Sequence, residues 1–133
     1  MLSSKKRTPG KVFTTGADTA FLIVKRWIRN VRRTPEGMAN LKLFDLEIQF
    51  LIKGEDPFIF SLKDGLFSLR KGRLRMIDSG KTVTVESNRA TLKQLLSGQV
   101  KFLDELRADR IYLVGELPRR AWFSRMIRIG SAT

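Results

Sequence analysis

Residues 19–33 are the first segment in which apolar and charged positions separate onto two sides. The apolar side carries Ala20, Ile23, Val24, Trp27, Ile28 and Val31, and the opposite side carries Lys25, Arg26, Arg29, Arg32 and Arg33. At about 100° per residue this spacing predicts an amphipathic helix, with Asp18 or Thr19 as its N-cap. The residue before a proline disfavours the α conformation, so we expect the helix to end before Pro35 and a loop to begin at Glu36.

Four segments then follow the strict alternation of β-strands that have one buried face. We predict them at residues 44–52, 58–62, 66–71 and 81–86. In the first strand one side carries Phe44, Leu46, Ile48, Phe50 and Ile52. Asp64-Gly65, between the second and third strands, is typical of a tight hairpin turn.

After residue 86 the apolar spacing becomes helical. Ser87 or Asn88 caps a helix that ends near Gly98, a second short helix follows from about Val100, and residues 111–114 form a short strand. Pro118 suits the first position of a last helix. The order of elements indicates an α+β fold, a mainly antiparallel five-stranded sheet covered by helices. We expect a single domain over residues 18–130, preceded by a flexible basic arm at residues 1–17.

Charge and composition narrow the possible functions. The 133 residues include 26 Lys and Arg against 13 Asp and Glu, a net charge of +13, which favours polyanionic partners such as an anionic membrane surface or nucleic acid. The chain has no histidine and no cysteine, so imidazole bases, thiolate nucleophiles and almost all transition-metal sites are excluded. We therefore expect no catalytic residues, no metal and no cofactor.

The lack of cysteine and the length of the apolar runs bear on the location of the protein. The lack of cysteine fits a reducing cytoplasm. No apolar run approaches the roughly 20 residues that a bilayer-spanning helix needs. We expect a cytoplasmic protein that is at most peripheral to a membrane.

Glycine-marked turns give the chain a family resemblance. The hairpin Ser61–Gly65, the strand Thr82–Ser87 followed by the helix end Leu95–Gly98, and the strand Arg110–Glu116 occur in the order found in sterol carrier protein type-2 domains. Over residues 19–129 the chain resembles this family, although its high positive charge departs from the family pattern. The resemblance implies a sheet covered by helices with an apolar cavity between the layers. It also implies a sterol, fatty acyl, acyl-CoA or phospholipid ligand, or an accessory role with a protein partner.

The candidate ligand-binding residues are the apolar side chains expected on the inner face of the sheet and on the facing helices. They are Phe44, Leu46, Ile48, Phe50, Phe60, Phe102, Leu103, Trp122, Phe123 and Met126. From the residues alone an ordinary packed core is the alternative, because apolar periodicity does not reveal a void.

The basic side of the first helix is the candidate membrane contact. Its residues are Lys25, Arg26, Arg29, Arg32 and Arg33. Each cation near an anionic surface contributes about 1 kcal/mol, whereas the alternative is an ordinary solvated face. Nucleic acid is a less favoured partner. The two predicted helices around Gly98 resemble a helix-turn-helix, but Asp104 and Glu105 on the second helix would repel phosphate.

Overall fold

The computed structural model describes residues 19–77 and 80–131. The expected arm at residues 1–17 lies outside this part of the chain. The helices are α1 (Ala20–Arg32), α2 (Pro35–Leu41), α3 (Arg89–Leu96), α4 (Phe102–Arg107) and α5 (Leu117–Ser131). The strands are β1 (Leu46–Ile52), β2 (Phe58–Lys63), β3 (Leu66–Lys71), β4 (Thr82–Ser87) and β5 (Tyr112–Val114).

The five strands form one sheet in the order β3-β2-β1-β4-β5. The expected α+β class and strand number are confirmed, but the sheet is mixed. β1 pairs antiparallel with β2, with Ile48 opposite Phe60, and parallel with β4, with Ile48 beside Val83. β2 and β3 occupy one side of β1, and β4 pairs with the other side. β4 runs parallel to β1 because the connection from β3 returns the chain to the end of the sheet at which β1 begins.

The helices lie on the face of the sheet to which β1 directs its large apolar residues. This helix-covered face includes Leu46, Ile48, Phe50 and Ile52, as the alternation predicted, and all four are buried. α1 packs against α2, α3 and α5, and α5 also contacts β4. The predicted polarity of α1 is confirmed, since its buried residues are the six apolar ones.

The other face of the sheet meets the connection from β3 to β4, which we name the crossover loop (residues 72–77 and Gly80–Lys81 in the described chain). The backbone N–H of Leu74 in this loop donates to Gln49 Oε1 on β1 at 2.9 Å. Gln49 and Thr84 point to this face and are 6% and 8% exposed. The loop thus lies over polar strand residues that the alternation alone places in solvent.

The segment after α1 is helical, so the expected loop at Glu36 is wrong. Thr34 is the N-cap of α2 and accepts a hydrogen bond from the Gly37 N–H at 2.9 Å, and Pro35 occupies the first helical turn. Pro35 therefore ends one helix and begins the next. A Cβ at residue 37 would overlap the Val31 carbonyl, so glycine permits the close turn between the two helices.

Several predicted boundaries agree and others shift by one or two residues. Asp64 and Gly65 have φ values of 53° and 79°, as the predicted hairpin requires. Asn88 caps α3 through its side chain, and Gly98 has a φ of 77°. β1 begins two residues after Phe44, and α5 begins one residue before Pro118.

The helices α1 and α5 pack together at Trp27. Its Nε1 donates to the Met126 carbonyl at 3.0 Å, and its ring meets Phe123 edge-on with 5.8 Å between centroids. A Cβ at Gly130 would overlap the Trp27 indole. The absence of a side chain at residue 130 therefore sets the distance between the two helices.

We expect Gly130→Ala to destabilise the protein by about 1–3 kcal/mol, because the added methyl overpacks this contact. A helical Gly→Ala change without such a clash normally stabilises by about 0.5–1 kcal/mol, so the sign is diagnostic. Urea denaturation measures the free energy of unfolding, with Ser124→Ala on the outer side of α5 as the control. A stabilised Gly130→Ala variant would contradict the close approach.

Candidate functional site

Seven of the ten candidate ligand residues lie in the core between the sheet and the helices. They are Leu46, Ile48, Phe50, Phe60, Trp122, Phe123 and Met126, all buried. The Phe50 ring stacks on Phe58 with centroids 4.8 Å apart, and it also lies 6.3 Å from Phe123. The side chains expected to surround a cavity thus contact one another directly. Their role as ligand contacts stays a prediction.

The other three candidates lie at the margin of this core. Phe44 is half-buried with its ring 6.2 Å from Trp122. Phe102 is half-buried and meets Phe123 edge-on at 6.4 Å, whereas Leu103 is 58% exposed. The structure therefore separates the predicted set into a packed interior and a partly open edge formed by α4.

An open groove of about 630 Å³ lies between α4, the end of α3 and the outer side of α5. We name it the α4–α5 groove. Its apolar lining residues are Leu95, Val100, Phe102, Leu103, Ala121 and Ile127. The volume lies within the roughly 300–1,000 Å³ range of small-molecule sites, which are mostly apolar with few polar groups. The groove therefore has the size of such a site, and its lining combines an apolar part with several polar and charged residues.

The rim of this groove is basic. Lys101, Arg107, Arg125 and Arg128 line it together with one carboxylate, Asp104. Arg125 Nε donates to Asn40 Oδ1 at 2.8 Å, and Arg128 pairs with Glu36 at 3.3 Å. Within residues 19–77 and 80–131, Lys101 and Arg107 form no ion pair. The rim thus retains positive charge for an anionic group.

The groove is not evident from the sequence, because its residues come from three separate segments. Arg125 and Arg128 fall on the polar side of the last helical pattern, and their spacing marks an exposed face of α5. Nothing in the pattern indicates that α4 lies beside that face. Only the packing of α4 against Phe123 brings the segments together.

An ion pair between Glu105 and Arg110, together with a hydrogen bond from Ser87, connects α4 to the end of β4. Arg110 donates to both oxygens of Glu105, at 2.9 and 2.7 Å. Glu105 is the buried residue of α4, and Ser87 Oγ donates to the Arg110 carbonyl at 2.7 Å. The hydrogen bonds from Arg110 hold the pKa of the Glu105 carboxyl below its ordinary value, although burial opposes the shift. The position of α4 thus depends on an ionised glutamate.

The basic side of α1 is exposed along its whole length. Lys25, Arg26, Arg29, Arg32 and Arg33 are all exposed. The guanidinium of Arg32 lies 5.3 Å from the centre of the Phe67 ring on β3. Among the described helices, none is both long and apolar enough to cross a bilayer. In the same residues, no three acidic side chains cluster as a metal site would require.

No protein-family profile and no curated protein matches the sequence. Solved structures do match. The ubiquinone synthesis protein UbiJ-SCP2 superposes with a TM-score of 0.63 at 14% identity, over 82% of this chain and 88% of that one. The palmitated SCP2L2 protein of Aedes aegypti matches with a TM-score of 0.57 at 20% identity, over 79% of this chain and 90% of that one. The chain has the sterol carrier protein 2 fold.

The same fold also forms part of a larger enzyme. The sec-alkylsulfatase Pisa1 from Pseudomonas sp. matches 69% of this chain with a TM-score of 0.57 at 15% identity, and this chain covers only 14% of that enzyme. The sterol carrier fold therefore occurs both as most of a protein and as a small region of a long one.

We expect the Glu105–Arg110 pair to contribute stability that depends on pH. Because the folded-state pKa of Glu105 lies below its ordinary value of 4.5, the contribution is complete above that pH. It is lost as the pH falls further, through the folded-state pKa. Glu105→Gln should lower the free energy of unfolding at neutral pH, and the difference from the wild type should shrink on acidification.

Urea denaturation of both proteins from about pH 7 to about pH 3 measures this difference. Glu86→Gln, which changes an exposed carboxylate at the end of β4, is the control. A gap between wild type and Glu105→Gln that stays constant with pH would contradict the role of the ionised pair.

Proposed function

We propose that this chain is a non-catalytic lipid-binding or lipid-transfer domain that holds the apolar part of its ligand in the α4–α5 groove. The observation that carries the proposal is the combination of an apolar lining with a basic rim. An acyl chain or similar apolar group fits the lining, and Lys101 and Arg107 would face an anionic headgroup. Each buried CH₂ contributes about 0.8 kcal/mol. A fully buried chain of about sixteen carbons therefore contributes about 13 kcal/mol, which leaves roughly micromolar affinity after about 4–5 kcal/mol is lost on association.

Phe102 connects the groove to the predicted ligand residues of the core. Its ring lines the groove and also touches Phe123. We infer that a long ligand displaces Phe102 and extends toward Phe123, Trp122 and Met126. The limited attachment of α4, through one ion pair and the partly buried side chains of Phe102 and Leu106, favours such a displacement. Phe44 and the sheet residues Leu46, Ile48, Phe50 and Phe60 would then form the far wall of the enlarged site.

We expect Ser124→Trp to abolish uptake of a fluorescent fatty acid, because the indole would occupy the groove from the α5 side. Ser124 is half-buried and lines the groove, so the change leaves the core residues in place. Binding is measured by fluorescence titration, and native mass spectrometry of the purified protein detects lipid retained from cells.

The matched control is Ser68→Trp, an exposed position on β3 at the opposite side of the sheet. It should bind the fatty acid like the wild type, and urea denaturation should show both variants folded. Unchanged uptake by a folded Ser124→Trp variant would contradict the groove as the binding site.

We also propose that the basic side of α1 docks the domain on anionic membranes. Five exposed cations lie on this helix, while its apolar side is buried against the core. The helix therefore acts through charge rather than by inserting into the bilayer. Docking of this kind brings the domain to a surface from which its ligand is taken.

Replacing Arg29 and Arg33 by Gln should weaken liposome binding by about 2 kcal/mol at low salt, since each cation contributes about 1 kcal/mol. The control replaces Lys53 and Lys63 by Gln, which removes the same charge from exposed positions outside α1. Flotation with phosphatidylcholine vesicles, with and without phosphatidylserine, measures binding. Equal losses in the two variants would leave only a dependence on net charge and contradict docking by α1.

The second candidate is an accessory or protein-interaction module without a ligand. The occurrence of the fold as a small region of an alkylsulfatase favours this alternative. Retained lipid in native mass spectra supports the carrier. Its consistent absence, together with failed fatty-acid uptake, supports the accessory role.

A further inference from the structure

The crossover loop exposes two large apolar side chains next to each other. Met76 is 84% exposed and Ile77 is 56% exposed. Single exposed apolar residues are common on protein surfaces and need no explanation. Two adjacent ones on a polar, basic loop are a different case, because the same loop buries another apolar residue, Leu74, more deeply than either.

The backbone of the loop is held on the sheet just before this pair. The Gly72 N–H donates to the Pro57 carbonyl at 2.9 Å, and the Leu74 N–H donates to Gln49 Oε1 at 2.9 Å. Gln49 is only 6% exposed, so water competes weakly for the second bond. Held at these two points, the loop presents the next apolar residues outward.

Positive charge surrounds the pair. From Arg70 to Lys81 the sequence has five cations and one anion, Asp78. Arg73 and Arg75 are exposed and, within the described residues, form no ion pair. An apolar tip between cations matches the interface of an anionic bilayer, where apolar groups reach the acyl boundary and cations meet lipid phosphates. Nucleic acid would engage the arginines but would leave the apolar pair unused.

We propose that the crossover loop inserts Met76 and Ile77 into the interface of an anionic membrane. The loop and α1 lie on opposite faces of the sheet, and the edge strand β3 lies between them. Arg32 of α1 covers Phe67 on one face of β3, and the loop leaves the end of β3 at Gly72. The hydrogen bond at Leu74 already places the loop over β1, so the apolar pair is presented from the loop-covered face together with Arg73 and Arg75.

This inference deepens the membrane-docking part of the proposed function and rests on it. It adds a hydrophobic contact to an interaction that α1 supplies only through charge. Ligand uptake by the α4–α5 groove does not depend on the insertion. Failed uptake in the fatty-acid titration would therefore contradict the carrier proposal, whereas the vesicle experiments below test the insertion.

The first experiment uses the absence of cysteine from the chain. Met76→Cys and Gln94→Cys each give a single thiol for an environment-sensitive NBD label, and Gln94 is an exposed residue of α3 away from the loop. With phosphatidylserine-containing vesicles, the label at residue 76 should brighten and shift to the blue, while the label at residue 94 should not. Vesicle binding without any change at residue 76 would overturn the inference.

The second experiment removes the apolar pair. The double variant Met76→Ser, Ile77→Ser should bind phosphatidylserine-containing vesicles roughly tenfold more weakly, as expected for two partly inserted apolar side chains. Its folding and fatty-acid uptake should match the wild type. Both residues are exposed, so loss of stability is not expected. Unchanged vesicle binding by a folded double variant would overturn the proposal.

Two competing occupants are tested with the same variants. Light scattering after size-exclusion chromatography reports whether the apolar pair joins two copies of the chain. A wild-type dimer that becomes a monomer in the double variant would overturn the membrane assignment. Single-stranded nucleic acid is tested at the same salt. If it binds and brightens and blue-shifts the label at residue 76 as vesicles do, the membrane assignment is overturned. Binding without this change in fluorescence supports the bilayer.

Discussion

The parallel pairing of β1 with β4 at the centre of the sheet is the constraint on which the remaining structure depends. β2 and β3 occupy one side of β1, so β4 can join only the other side, and it runs parallel only if the chain crosses the sheet in between. Parallel neighbours are usually joined through a helix, but here the connection is a loop on the face without helices. This arrangement leaves the other face to α1, α3 and α5, and it places Met76 and Ile77 at the outside of the loop-covered face.

Aromatic packing divides the helix-covered side into an interior and a margin. Phe50 contacts both Phe58 and Phe123 between the layers, and Trp27 joins α1 to α5 through its hydrogen bond to Met126. Packing of this density resists local change, since interiors resemble organic crystals. α4 is different, because one ion pair and the partly buried side chains of Phe102 and Leu106 hold it. The proposed ligand site therefore lies beside the helix that contributes least to the core.

The excess positive charge is distributed over three surfaces with related chemistry. One lies along α1, one flanks the apolar tip of the crossover loop, and one forms the rim of the α4–α5 groove. All three suit phosphate or carboxylate groups, and all three adjoin exposed apolar side chains, which on α1 is Leu22. Lipids in an anionic membrane combine the same two properties. These apolar neighbours are the reason for proposing a membrane rather than nucleic acid as the anionic partner.

The sequence by itself determined the type and order of most elements, the two sides of α1, the inner face of β1 and the Asp64-Gly65 hairpin. Each of these follows from local spacing, since a strand alternates and a helix repeats whatever it packs against. Local spacing did not reveal α2, because seven residues with Gly37 in the middle give little periodicity. The direction of β4 beside β1 and the place of α4 beside α5 came only from the tertiary structure. Both depend on contacts between residues far apart in the chain, and so does the groove, which no single segment contains.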